Sequence, residues 1–142
     1  MSEQKQIFCA AKIRSTLEEL AVNLHNRGGI YLIEIIEFLL LNEEKSIADA
    51  LELLAQKYGI TVESVRASVR YAVYRAWSNG NAAVQHRYFF HSVEAKRRKP
   101  TESAFVTTLV QLLRHELNEF PVHPEEENSD LPLEMRNDIF RH

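Results

Sequence analysis

Cysteine is nearly absent from this sequence: Cys9 stands alone among 142 residues, so no disulfide can close within the chain and no cysteine-based zinc site can be assembled. That usage fits a reducing compartment. Glycine and proline are almost as scarce, at four each, which leaves few places where a helix must break. Long apolar runs are missing too. The most apolar stretch, residues 30–41, is interrupted by Glu34 and Glu37 and falls well short of the ~20 residues that span a bilayer. The start of the chain, Met1-Ser2-Glu3-Gln4-Lys5-Gln6, is polar and has none of the apolar core of a secretory signal. A cytoplasmic protein without a membrane span is the expectation.

What is present is an ordinary globular composition, 45% hydrophobic and 26% charged, rich in the residues that favour helix. The expected fold is all-α, a compact bundle of about six helices. Ile13, Leu17, Leu20, Ala21 and Leu24 recur at helical spacing and predict a first helix over 8–25, stopped by Arg27-Gly28-Gly29. A second helix is expected over 30–42. Ser46 is a good cap for a third, with Ile47, Ala50, Leu51, Leu54 and Tyr58 on its apolar side and Gly59 at its end. Thr61 caps a long fourth helix whose inner stripe is Val62, Val65, Val69, Ala72, Val73 and Ala76. Residues 82–100, with Tyr88, Phe89 and Phe90, read either as a short helix or as a loop over the core. Trp77 and those aromatics are assigned to the core. Thr101 caps a last long helix carrying Phe105, Leu109, Leu112, Leu113 and Leu117. Beyond residue 120 the composition changes to Pro121, Pro124 and a run of acids. The domain division is therefore 1–120 for the helical domain and 121–142 for an acidic, flexible tail with one short helical turn over 133–140.

The net charge of -3 hides a strong asymmetry. From 119 to 142 seven acids face Arg136 and Arg141, a balance of -5, which leaves +2 for the rest. From 61 to 100 the eight bases Arg66, Arg70, Arg75, Arg87, Lys96, Arg97, Arg98 and Lys99 face only Glu63 and Glu94, a balance of +6. Local basicity of this kind is what a phosphate backbone selects.

The junction of the third and fourth helices carries the main functional signal. Ala55, Gly59 and Val65 have helix-turn-helix spacing: a small residue for close approach, a residue able to take positive φ in the turn, and an apolar anchor shared with Ile60. The spacing alone fits an ordinary helix hairpin with a glycine cap equally well. The outward face of the fourth helix separates the two. Glu63, Ser64, Arg66, Ala67, Arg70 and Tyr71 lie on it, and a helix laid in the major groove would present these to base edges. Arg75, Lys96, Arg97, Arg98, Lys99 and Thr101 are the expected phosphate contacts, the last two beside a helix N-terminus. A solvated basic surface is the plain alternative for both sets.

A set of longer motifs supports the first reading. Gly28 with Tyr31-Leu32 and Glu34, then Ala55 with Lys57-Tyr58, then Ala76-Trp77-Ser78 with Gly80-Asn81, and finally Lys99-Pro100-Thr101 with Ser103, Phe105 and Leu113-Arg114 resemble the C-terminal effector domain of the stage-zero A sporulation response regulators of endospore-forming bacteria. The resemblance covers roughly 13–117. It implies a six-helix fold, the fourth helix as recognition helix, promoter DNA as ligand, and head-to-tail homodimers on tandem sites.

Two departures qualify it. Where that family reads Ser-Arg-Val-Glu-Arg-Ala-Ile-Arg-His, this chain reads Glu63-Ser64-Val65-Arg66-Ala67-Ser68-Val69-Arg70-Tyr71, and of the family's arginines only Arg70 remains. A different target sequence or a weaker affinity follows, because base contacts depend on side-chain chemistry. The family's phosphoreceiver domain has no counterpart in the roughly ten residues before the expected first helix. Control by a partner, or by the acidic tail competing for the basic face, is expected instead, and removing residues after Phe120 should then tighten DNA binding.

Enzymatic chemistry finds no support in the sequence. The six histidines are scattered, no glycine-rich phosphate loop occurs, and no acid pair sits in a pocket-forming segment. No cofactor, metal, small-molecule substrate or membrane is expected. The expected activity is sequence-specific DNA binding by a transcriptional regulator, with double-stranded DNA as partner. The rival is a protein-interaction module that pairs with or antagonises a full-length response regulator without reading DNA. The retained Arg66, Arg70, Arg75 and the 96–99 basic run favour DNA.

Overall fold

The computed structural model describes residues 3–89 and 99–119. It contains α1 (Glu3–Glu19), α2 (Arg27–Leu41), α3 (Ile47–Tyr58), α4 (Val62–Asn79), α5 (Ala82–Phe89) and α6 (Glu102–Asn118), with no strand among the described residues. The all-α, six-helix expectation holds. The expected tail over 121–142, Phe90 and the bases Lys96, Arg97 and Arg98 lie outside the described residues.

α2 forms the centre of the bundle and packs against α1, α3, α4 and α6. Its sequence explains the position. Tyr31, Leu32, Ile35, Ile36, Leu39 and Leu40 are all buried, a stripe too wide for one neighbour to cover, so several helices must surround it. α6 closes one side with Phe105, Val106, Leu109, Val110, Leu113 and Leu117 buried, while Leu112 is half-buried. The short α5 resolves the helix-or-loop ambiguity of its segment. Phe89 is completely buried, its ring edge-on to Trp77 at 5.3 Å and stacked on Phe105 at 5.3 Å. The Gln85 amide donates to the Trp77 carbonyl at 2.9 Å, tying α5 to a carbonyl in the last turn of α4.

The structure corrects the reading of the first two helices. α1 starts earlier than expected and stops at Glu19, and Ala21, assigned to its buried stripe, is exposed with φ of 70°. The Ala21 amide donates to Glu18 at 2.9 Å and the Val22 amide donates to Leu17 at 2.9 Å, the paired bonds of a Schellman closure. Val22 and Leu17 are both buried beneath it. Gly28 and Gly29 therefore do not end α1. They sit in the first turn of α2, capped by Asn26, whose side chain accepts from the Gly29 amide at 2.9 Å. Their role is close approach. A Cβ on Gly28 would lie 2.3 Å from the Ser68 carbonyl oxygen and 2.7 Å from Ala72 Cβ, and one on Gly29 would lie 1.9 Å from the Asn23 carbonyl oxygen. The start of α2 is thus pressed against the middle of α4.

Candidate nucleic-acid interface

α3 and α4 meet through a turn that each residue helps to build. Ser46 and Asp49 form a reciprocal capping box at the start of α3, which satisfies amides left open by the first helical turn. At its end Gly59 adopts φ of 67°, and the amides of Gly59 and Ile60 both donate to the Ala55 carbonyl, the latter at 3.0 Å. The Thr61 hydroxyl oxygen accepts from the Ser64 amide at 3.0 Å and starts α4. Ala55 and Val65 are both buried, Val65 completely, and α3 packs on α4. Gly59 and Val65 thus have the mechanical roles assigned to them.

A second latch fixes α3 on α2. Glu34 accepts from Lys57 Nζ at 2.9 Å and from the Tyr58 hydroxyl, and the Tyr58 ring tilts against Tyr31 at 5.2 Å. The Glu34 hydrogen bond, together with partial burial, pushes the Tyr58 phenol above its ordinary value. The same carboxylate, by hydrogen bond and charge, raises Lys57.

With Val65, Val69, Ala72, Val73 and Ala76 packed inward, α4 turns its other side to solvent. Glu63, Ser64, Ala67, Arg70 and Tyr71 are exposed and Arg66 is half-buried. The six expected base-reading residues thus lie on the side of α4 away from its buried stripe, Arg66 and Arg70 toward α6 and Tyr71 toward the start of α2. Two of the cations carry partners. Arg66 Nη1 lies 3.2 Å from Glu63 Oε1 within the same helix. Arg70 reaches Glu102 in the first turn of α6, Nε to Oε1 at 3.4 Å and Nη2 to Oε2 at 3.3 Å. Partial burial pushes the Glu102 carboxyl up, but the Arg70 hydrogen bond, its own backbone amide and the charges of Arg70 and Arg66 outweigh that and hold it below its usual value. Both pairs are exposed enough for screening to leave them worth little to stability.

The three expected phosphate contacts among the described residues divide between the two edges of α4. On one, Lys99 Nζ stands 5.1 Å from the centre of the Tyr74 ring, next to Thr101, whose hydroxyl oxygen caps α6 by accepting from the Ala104 amide at 3.0 Å. On the other, Arg75 donates to the Tyr71 hydroxyl at 3.2 Å and lies over its ring. That edge also holds residues the sequence reading passed over. Arg27, at the start of α2, shares a shallow cleft with Asn26, Ser68 and Tyr71, and the cleft beside it is lined by Tyr71 and Arg75. Asn26 was the available signal: an asparagine three residues before a glycine, at the head of an apolar run, is a helix N-cap. Glu102 was passed over as well, since nothing in its local spacing shows that it meets a residue 32 positions away.

Six helices among the described residues, two of them joined at a glycine turn and one of that pair presenting arginines to solvent, define a helix-turn-helix effector fold. The sequence matches the family model described as "Sporulation initiation factor Spo0A C terminal" over residues 13–113. The chain belongs to that family, the DNA-binding effector domain of a sporulation regulator, which is a transcription-factor family and not an enzymatic one. Among the described residues no helix is long and apolar enough to cross a membrane.

Proposed function

We propose that this chain is a sequence-specific, DNA-binding transcriptional regulator that lays α4 in the major groove of double-stranded DNA. The observation that carries the reading is Arg70: its guanidinium projects from the centre of a helix whose aliphatic underside is locked into the core, and the side chain is 57% exposed. A guanidinium on a rigid helix can address a guanine edge through two parallel hydrogen bonds. Arg66, Ser64, Tyr71 and Glu63 flank it as further base contacts, and Arg75, Lys99, Thr101 and the 96–98 bases serve the phosphates. Arg27 joins them on the α2 edge. The substitutions relative to the family's recognition helix support a target sequence of its own or a weaker affinity for DNA.

Fluorescence polarisation of labelled duplexes at two salt concentrations tests the proposal. Selection from a randomised duplex pool should enrich one sequence, and affinity should fall steeply with salt, because each phosphate contact releases condensed counterion. Arg70→Ala should weaken the enriched duplex by about tenfold or more, a loss in the range of one bidentate base contact, and weaken a scrambled duplex much less. Equal weakening of both duplexes would reduce Arg70 to a phosphate contact, and salt-insensitive or undetectable binding would remove the reading altogether.

A further inference from the structure

We propose that Glu102, at the start of α6 and outside the helix-turn-helix, is a positioning residue that sets the orientation in which Arg70 meets DNA. The inference rests on the DNA-binding reading above and deepens it. A guanidinium has five N–H groups arranged along two usable edges. The side edge is made by Nε and one terminal nitrogen; the end edge is made by both terminal nitrogens and points away from the helix. Glu102 occupies the side edge, through Nε to Oε1 at 3.4 Å and Nη2 to Oε2 at 3.3 Å. The end edge is the one that can donate in parallel to O6 and N7 of guanine.

The support beneath Glu102 makes it a fixed partner. Thr101 caps the helix at that point, Phe105 and Val106 are buried one turn on, and the Glu102 side chain is 21% exposed. Its position is therefore set by the core, whereas Arg70 without it would be a long side chain free to sample its rotamers. A carboxylate also suits the first turn of a helix. Arg66, whose charge also acts on Glu102, lines with it a small cleft where α2, α3, α4 and α6 meet, so one carboxylate acts on two of the three arginines of α4. The consequence is that base reading by α4 depends on α6.

The same geometry admits a rival role, in which Glu102 only competes with DNA for Arg70, and the two roles predict opposite results. The experiment compares the full chain with Glu102→Gln, Glu102→Ala, Arg70→Ala and the Arg70→Ala/Glu102→Ala double variant, titrated against the enriched duplex and a scrambled duplex of equal length. Circular dichroism melting serves as the folding control. If Glu102 positions Arg70, Glu102→Ala should cut the ratio of affinities for the two duplexes by about tenfold, close to the effect of Arg70→Ala. Glu102→Gln, which keeps one acceptor on the same stem, should lose less. In the Arg70→Ala background the further loss of Glu102 should leave the ratio unchanged. Tighter binding to both duplexes with the ratio intact would overturn the proposal in favour of simple competition. A ratio that falls again in the Arg70→Ala background would overturn it as well, since Glu102 would then act elsewhere. Should the unaltered chain bind with a steep salt slope but prefer no sequence, the positioning role fails while DNA binding stands. Absence of binding by the unaltered chain would remove both.

Discussion

Ala21 and Gly59 occupy equivalent positions and should respond oppositely to exchange. Each follows a helix and carries a positive φ, 70° for Ala21 and 67° for Gly59, and in each case the next amide reaches back five residues, Val22 to Leu17 and Ile60 to Ala55. A Cβ in the left-handed region costs roughly 1–2 kcal/mol. Glycine removes that cost but loses about 0.4–1 kcal/mol through its freer unfolded state. Ala21→Gly should therefore stabilise the fold by about 0.5–1 kcal/mol. Its side chain is exposed, so no packing is given up. Gly59→Ala should destabilise by about the same amount, since nothing lies within 4 Å of the added Cβ and the strain is offset only by the stiffer unfolded chain. For a chain of this size such changes correspond to roughly 2–4 °C in melting temperature, in opposite directions. Urea denaturation followed by circular dichroism, with unchanged slopes, measures both. An Ala21→Gly variant as stable as the parent or less stable, alongside a destabilised Gly59→Ala, would refute the left-handed closure of α1.

Gly28→Ala should behave differently from Gly59→Ala, because its Cβ would lie 2.3 Å from the Ser68 carbonyl oxygen. Overpacking costs typically 1–3 kcal/mol, helix propensity returns up to about 1 kcal/mol, and the net loss of about 1–2 kcal/mol should appear in the urea midpoint together with weaker DNA binding, as α2 is pushed off α4. Ser46→Ala should cost about 1 kcal/mol by removing the cap of α3, read from the same denaturation curves. Acid should weaken the fold through its depressed carboxyls: Asp49, lowered by the backbone and hydroxyl hydrogen bonds of Ser46, and Glu19, lowered first by the Tyr88 hydroxyl and then by Arg87 and Lys12. Because their folded values lie below the unfolded ones, the stability they lend is complete above the ordinary carboxylate range and is lost as pH falls through the depressed values. Urea midpoints between pH 7 and pH 3 should decline at the acid end, and Asp49→Asn should flatten that decline.

The helices at the functional end were legible because their signals are local. Ser46, Thr61 and Thr101 announce their own caps, and Gly59 announces its own turn, within four residues of the bonds they make. The end of α1 was not legible, because a residue with a Cβ holds the left-handed position there and the nearest glycines belong to the next helix. Two uses of glycine compete in any such reading: backbone conformation and close approach. Only the packing of α2 on α4 reveals that Gly28 serves the second. The solvent-facing side of α4 could be read from helical periodicity, whereas its partners could not. Arg27 reaches the α4 edge through the α2 and α4 contact, and Glu102 through the α6 contact.

The two arginine pairs on α4 illustrate why similar salt bridges can have different consequences. Glu63 and Arg66 are three residues apart on one helix, and the Glu63 side chain is 74% exposed. Glu63 is carried by the same helical turn as its partner, so under the proposed DNA-binding reading a phosphate or a base can replace it with little loss, and salt screens what remains. Glu102 reaches Arg70 from a different helix and is anchored by that helix's cap and core residues. Replacing it would strip a supported carboxylate of its partner, whereas DNA added at the other edge of Arg70 would, under that reading, keep both interactions. The distinction lies in what stands behind each carboxylate, and under the proposed DNA-binding reading it would make Arg66 the adaptable contact of the face and Arg70 the fixed one.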